Sequence, residues 1–196
     1  VDHVRAFDHD NEPDAALELI AVAGTGLRAF RLDEDGAWAA LELQAPALPG
    51  APADITPVDF DHEGDVDLLI VGDFGARLWR NDGAFRPNSD VKGAYVDVTD
   101  VAELPTTQAF AWCSTEDFDG DNDVDLVMGG PGGVFLADSL RAGKFADVSS
   151  RFPSGAFAVE PVLADFDGDA RPDVATGGAQ AQLWIQNEEL GFDAPR

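Results

Sequence analysis

The chain is poor in positive charge, histidine and cysteine. Twelve Lys and Arg face thirty-eight Asp and Glu in 196 residues, for a formal charge of -26. So acidic a surface excludes nucleic acid and anionic membrane surfaces as partners, because both need a basic face. A single cysteine precludes an internal disulfide. Cys113 lies in an apolar run, 109–113, and reads as a small buried residue. Three histidines, none grouped with that cysteine, leave no zinc set. No apolar stretch approaches the roughly 20 residues of a membrane span, so insertion by a helix is not expected. Catalytic sets are missing too. No Ser/His/Asp constellation stands out, and Gly24-Thr25-Gly26 is too short for a phosphate loop. The chain begins at Val1 without a leader-like segment, as expected of a mature or excised piece.

What is present is acid in a pattern. Asp117-Phe118-Asp119-Gly120-Asp121-Asn122-Asp123-Val124-Asp125 carries carboxylates at positions 1, 3, 5, 7 and 9, followed by an apolar run and two glycines. The stretch from Asp165 to Asp173 keeps positions 1, 3, 5 and 9, and that from Asp59 to Asp67 has Glu63 at position 5. A fourth copy aligns Ala6 with position 1 and Asp14 with position 9, so its first carboxylate is missing. Eighteen of the thirty-eight acids fall in these runs.

Alternating oxygens on a tight loop can converge on one point, and Ca²⁺ takes about 6 to 8 oxygens in flexible geometry. Side chains at 1, 3, 5 and 9 are the expected donors, with a backbone carbonyl at 7. Position 7 holds Asp65, Asp123, Arg171 and Glu12, and a position that accepts Arg does not use its side chain. Position 6 is Gly64, Asn122, Ala170 or Asn11, which suits the left-handed backbone of a sharp turn except at Ala170. Magnesium fits less well, since it keeps its waters rather than filling a protein cage. The competing interpretation is that Asp, Asn and Gly merely form solvated turns. Four copies in register, each self-repulsive without a cation, argue against it. A high-salt habitat would also explain the acidity outside the loops.

Corresponding loop positions are 53, 58 and 48 residues apart, the size of a propeller blade. Each unit has an apolar run into the loop (55–60, 110–118, 161–166), a second leaving it (68–71, 126–128, 174–176), a third (27–32, 76–79, 133–136, 182–185), and a fourth opening on Trp38, Tyr95, Phe145 or Phe192. With 45% apolar residues and thirteen Phe, the chain can fill a core. The expected fold is all-β, a β-propeller of about four four-stranded antiparallel blades, near 1–43, 54–99, 110–149 and 157–196, in a single propeller domain or fragment. The last unit stops as its fourth strand begins, which suggests part of a larger propeller. The extra residues 84–93 read as a surface loop. Trp79 and Trp184 recur in the third strands, with Phe30 and Leu136 at similar places, and read as core rather than as sugar-stacking platforms.

Asp-Phe-Asp-Gly-Asp-x-x-x-Asp before an apolar run and paired glycines resembles the FG-GAP/VCBS repeat, the blade of integrin α-chain propellers; Tyr95–Thr99 and Phe145–Ser149 resemble its VCBS form. The resemblance implies about seven blades, calcium in the loop between the first two strands, and an extracellular, secreted or cell-surface setting. The ligands it implies are Asp59, Asp61, Glu63, the Asp65 carbonyl and Asp67; Asp117, Asp119, Asp121, the Asp123 carbonyl and Asp125; and Asp165, Asp167, Asp169, the Arg171 carbonyl and Asp173. The first loop would offer Asp8, Asp10, the Glu12 carbonyl and Asp14. The expected function is a non-enzymatic, calcium-dependent adhesion or interaction module for a protein or glycan. The alternatives are a lectin-like propeller and a non-catalytic domain of a larger secreted enzyme.

Overall fold

Fifteen short strands, each leaving its glycine or acidic turn in the opposite direction, build four antiparallel sheets in the computed structural model, which describes residues 3–8, 17–82, 94–153, 157, 159–177 and 181–195. The first sheet orders β1 (Val4–Phe7), β2 (Glu18–Ala23), β3 (Gly26–Leu32) and β4 (Trp38–Leu41). The second takes β5 (Pro52–Val58), β6 (Asp67–Gly72), β7 (Gly75–Asn81) and β8 (Tyr95–Asp97). The third holds β9 (Trp112–Glu116), β10 (Asp125–Gly130), β11 (Gly133–Ser139) and β12 (Phe145–Asp147). The fourth has β13 (Val162–Ala164), β14 (Asp173–Thr176) and β15 (Gln182–Trp184), and its fourth element is reduced to a bridge between Gln186 and Phe192. Nearest-neighbour order within every sheet is the up-and-down arrangement of a propeller blade.

Both faces of β6 and β10 are apolar because these strands are sandwiched between blades. Leu68 and Ile70 of β6 join Ile20, Val22 and Ile55 in the core between blades one and two. Leu69 and Val71, on the opposite face, join Leu126 and Met128 between blades two and three. Val127 packs with Val174 and Trp184 between blades three and four. This period-2 division gives β6 and β10 two cores each. Cys113, Trp79 and Trp184 are buried, as expected of core residues. Trp79 pairs with Leu68 and Trp184 with Val174, a register place held in blade three by Ala137, not Leu136.

Two of the expected fourth strands end early. After Asp97 the chain turns into a one-turn helix, α1 (Thr99–Ala102), and after Asp147 into a 3-10 turn (Ser149–Arg151). The Asp-Val-Thr/Ser sequence causes this. Asp97 Oδ1 accepts from the Thr99 N–H at 3.0 Å, and the Leu78 N–H donates to Thr99 Oγ1 at 2.9 Å. Asp147, Ser149 and Leu136 repeat these bonds at 2.9 and 3.1 Å. A side chain that captures the backbone two residues on competes with the ladder and ends the strand. The segment 84–93 lies outside the described residues.

Candidate metal centres

In all three fully described loops, the first acid organises the turn. Asp117 Oδ1 accepts from the Gly120 N–H at 2.7 Å and Oδ2 from the Asn122 N–H at 3.1 Å. Asp165 does the same with Gly168 and Ala170, at 2.6 and 2.9 Å. Asp59 Oδ2 accepts from Gly64 at 3.1 Å. Position 6 is left-handed as expected, with φ of 85° at Gly64, 65° at Asn122 and 68° at Ala170. Position 4 is left-handed as well, at His62, Gly120 and Gly168. His62 therefore belongs to the turn.

The last acid has a second task that spacing alone did not reveal. Asp125 is buried, and its Oδ2 accepts from the Phe118 N–H at 2.9 Å while Oδ1 accepts from the Ser139 N–H at 2.8 Å. Asp173 holds Phe166 and Gln186 in the same way, both at 2.9 Å. Asp67 holds Phe60 and Asn81, at 3.3 and 2.7 Å. Each of these carboxylates ties the loop entrance to the end of the third strand.

Carboxylate oxygens of Asp59, Asp61 and Asp67 lie within 4.8 Å of one another, as do those of Asp117, Asp119 and Asp125, and of Asp165, Asp167 and Asp173. These are positions 1, 3 and 9. The position-5 acids Glu63, Asp121 and Asp169 stand outside the groups. Asp121 accepts from the Asp123 N–H at 3.0 Å, and Asp169 is engaged by the Arg171 N–H at 2.9 Å and by the Arg171 guanidinium. Asp59 Oδ1, Asp65 Oδ1 and Asp123 Oδ1 are buried without a hydrogen-bond donor. A buried acceptor left unpaired costs about 1–3 kcal/mol. Converging hard oxygens, some orphaned, are a donor set that fits a divalent cation.

The electrostatics agree with that fit. Burial pushes Asp67 up to about 8 and Asp125 up to about 7, against the pull of the backbone donors that each accepts. Burial, reinforced by Asp61 and Asp59, raises Asp65 to about 6. Asp61 and Asp119 are also raised, first by burial and then by neighbouring carboxylates. Asp165 is held below its ordinary range by the Ala170 and Gly168 N–H groups. The loops at 59–67 and 117–125 thus resist full ionisation until positive charge arrives.

The first loop requires a correction. Asp67, Asp125 and Asp173 pair across the ladder with Val58, Glu116 and Ala164, the residues immediately before position 1. In the first blade, Phe7 pairs with Glu18. Asp8 rather than Ala6 therefore opens this loop, and buried Glu18 closes it. The alignment on Ala6 was displaced because this loop is two residues longer. Asp10, Glu12 and Asp14 lie outside the described residues.

Sequence reasoning also missed Asp54, fully buried in β5. It accepts from the Cys113 N–H of the third blade at 3.1 Å, and from Arg5 and His3 of the first blade, each at 3.1 Å. Glu160, ahead of the fourth blade, stands 3.9 Å from Arg5. The innermost strands thus meet in one charged node. The available signal was an aspartate among the apolar residues of an innermost strand.

Residues 117–176 match the family model described as an FG-GAP-like repeat. That segment carries an FG-GAP-like repeat within a propeller-type fold. The matched segment contains two of the acidic loops and the apolar strands that follow them. Among solved structures, the chain is similar to an Agrocybe aegerita lectin studied for specific recognition of non-reducing terminal N-acetylglucosamine, at 17% identity and a TM-score of 0.59. The similarity covers 100% of this chain and 52% of the lectin, so the chain spans about half that protein's length. No curated protein matches it. Among the described residues, no helix is long and apolar enough to cross a membrane.

Proposed function

We propose that the chain is a calcium-dependent, extracellular interaction module in which the ion is structural and a protein or glycan is met by the surfaces between blades. The observation that carries this reading is the threefold recurrence of one carboxylate group at positions 1, 3 and 9, with orphaned buried oxygens beside two of the loops. Asp59, Asp61 and Asp67, Asp117, Asp119 and Asp125, and Asp165, Asp167 and Asp173 would hold the ions. The carbonyls of Asp65, Asp123 and Arg171 would complete the sets, and Asp8 and Glu18 would serve a further loop. Bound calcium supplies positive charge that lets these acids ionise together. The position-9 carboxylate meanwhile keeps its backbone donors and transmits that order to the third strand. Extracellular calcium modules bind with Kd of about 0.1–1 mM, which suits such shallow sites and sets the location proposed here.

A glycan ligand is the reading favoured by the lectin similarity, and adhesion to protein is the alternative. Calorimetric titration should detect at least three calcium ions per chain; no binding at millimolar calcium would refute the proposal. A glycan array probed with calcium and with EDTA separates the ligands. Calcium-dependent retention of a defined sugar supports the lectin-like role, and an empty array supports a protein partner.

A further inference from the structure

One side chain joins the acidic loops of two neighbouring blades. Gln186 stands just past β15, and loop 165–173 grips its backbone from both sides. Its N–H donates to Asp173 Oδ1 at 2.9 Å, and its carbonyl accepts from Arg171 Nε at 3.3 Å. The side chain crosses to the third blade, where Nε2 donates to the Phe118 carbonyl at 2.9 Å. Phe118 is position 2 of loop 117–125, between Asp117 and Asp119, and Asp125 Oδ2 holds its N–H at 2.9 Å. A path of three hydrogen bonds therefore connects Asp173 with Asp125, the closing acids of the two loops.

Packing alone does not call for glutamine at this place. Gln186 is 1% exposed, and its Oε1 is buried without a donor. A methionine would fill a similar volume without stranding a polar atom, whereas an unpaired buried acceptor is a standing cost. The corresponding residues of the other blades lack this reach. Asn81 and Ser139 also give their N–H to the closing acid, at 2.7 and 2.8 Å. Asn81 Nδ2, however, turns back to the Val66 carbonyl of its own loop at 3.3 Å. Ser139 Oγ accepts from the Arg141 N–H of its own turn, also at 3.3 Å.

We infer that Gln186 is a positioning residue that couples loops 117–125 and 165–173, so that a cation bound in either raises the affinity of the other. The inference rests on the calcium reading of the loops. An ion held by Asp165, Asp167 and Asp173 fixes Asp173, and with it the Gln186 backbone. Gln186 Nε2 then fixes the Phe118 peptide, which sets Asp117 and Asp119 against Asp125 before a second ion arrives. The same bonds act in reverse, because coupling between two binding sites is reciprocal. Such couplings amount to about 5- to 150-fold in affinity, and a path of single hydrogen bonds belongs at the lower end.

Each loop carries its own reporter, since Gly64, Gly120 and Gly168 lie inside loops 59–67, 117–125 and 165–173. Calcium titration of the whole chain, followed by the amide NMR signals of these glycines, gives three separate midpoints. Asp167→Ala should weaken binding at Gly120 about fivefold, and Asp119→Ala should weaken it at Gly168 by the same factor. In Gln186→Met, both effects should fall below about twofold while each loop still binds calcium. Gly64 should keep its midpoint throughout. A residue that only stabilised the fold would lower affinity without uncoupling the loops. Unchanged circular dichroism will establish that Gln186→Met folds, and the two aspartate variants test the coupling without it. The inference is overturned if Gly120 ignores Asp167→Ala, if the fivefold effect survives Gln186→Met, or if Gly64 shifts as far as Gly120. Glycine signals that all ignore calcium up to about 10 mM, well above the Kd of extracellular modules, would refute the calcium reading and the coupling with it.

Discussion

Asp125→Ala, measured without calcium, separates the two tasks assigned to the last acid of the loop. The substitution leaves the buried N–H groups of Phe118 and Ser139 without the acceptors they now hold at 2.9 and 2.8 Å. At about 1–3 kcal/mol for each unpaired buried donor, the loss is roughly 2–6 kcal/mol. For a chain of this length, that lowers the melting temperature by roughly 5–20 °C. Relief of a buried charge would partly offset the loss at high pH. The assay therefore belongs near pH 6, below the value of about 7 to which burial pushes Asp125. Thermal melting in EDTA at that pH is the measurement, with Asp121→Ala as the control. Asp121 is an exposed loop acid, and its removal should cost no more than about 0.5 kcal/mol. Asp125→Asn keeps one acceptor and should fall between the two. If Asp125→Ala and Asp121→Ala melt together in EDTA, the last acid is a ligand alone and the clamp is refuted.

In EDTA, stability should fall as pH rises from about 4 to about 8. Asp67 and Asp125 are raised to about 8 and about 7, so across this window the folded chain retains protons that the unfolded chain has lost. Their stabilising contribution is complete below the unfolded value near 3.9 and is lost as pH passes the folded values; melting that rises across this window would contradict the burial argument. Asp54→Ala should cost about 3–5 kcal/mol in urea unfolding, since it strands Arg5 and the Cys113 N–H at the junction of three blades. A loss below about 1 kcal/mol would show that the axial node fastens nothing.

Much of the fold was legible because the repeat writes the same physics several times. Apolar runs after each loop became β6, β10 and β14, and glycine marked the following turns. The aromatic opening each fourth strand was also visible, although the packing of Phe145 on Phe60 of the preceding blade depends on contacts between repeats. The ends of β8 and β12 were misjudged because Asp97 and Asp147 capture the backbone locally. Convergence at positions 1, 3 and 9 followed from the spacing. Withdrawal of position 5 did not, since it depends on how Asp121 and Asp169 fold back onto their own loops. The register of the first loop was hidden by its two additional residues, which only the pairing of Phe7 with Glu18 reveals. Asp54 was illegible for a different reason. Its donors from other blades, Arg5 and Cys113, lie 49 and 59 residues away, beyond the reach of local pattern.

The central claim is that the acidic loops bind calcium and fasten the blades, and thermal melting in EDTA and then in about 10 mM Ca²⁺ tests it most directly. Three sites with Kd of about 0.1–1 mM contribute roughly 1.4–2.7 kcal/mol each at that concentration. The melting temperature should rise by roughly 10–30 °C. Asp119→Ala combined with Asp121→Ala should lose about a third of that gain and melt like the unmodified chain in EDTA. A melting temperature that does not move with calcium would contradict the account.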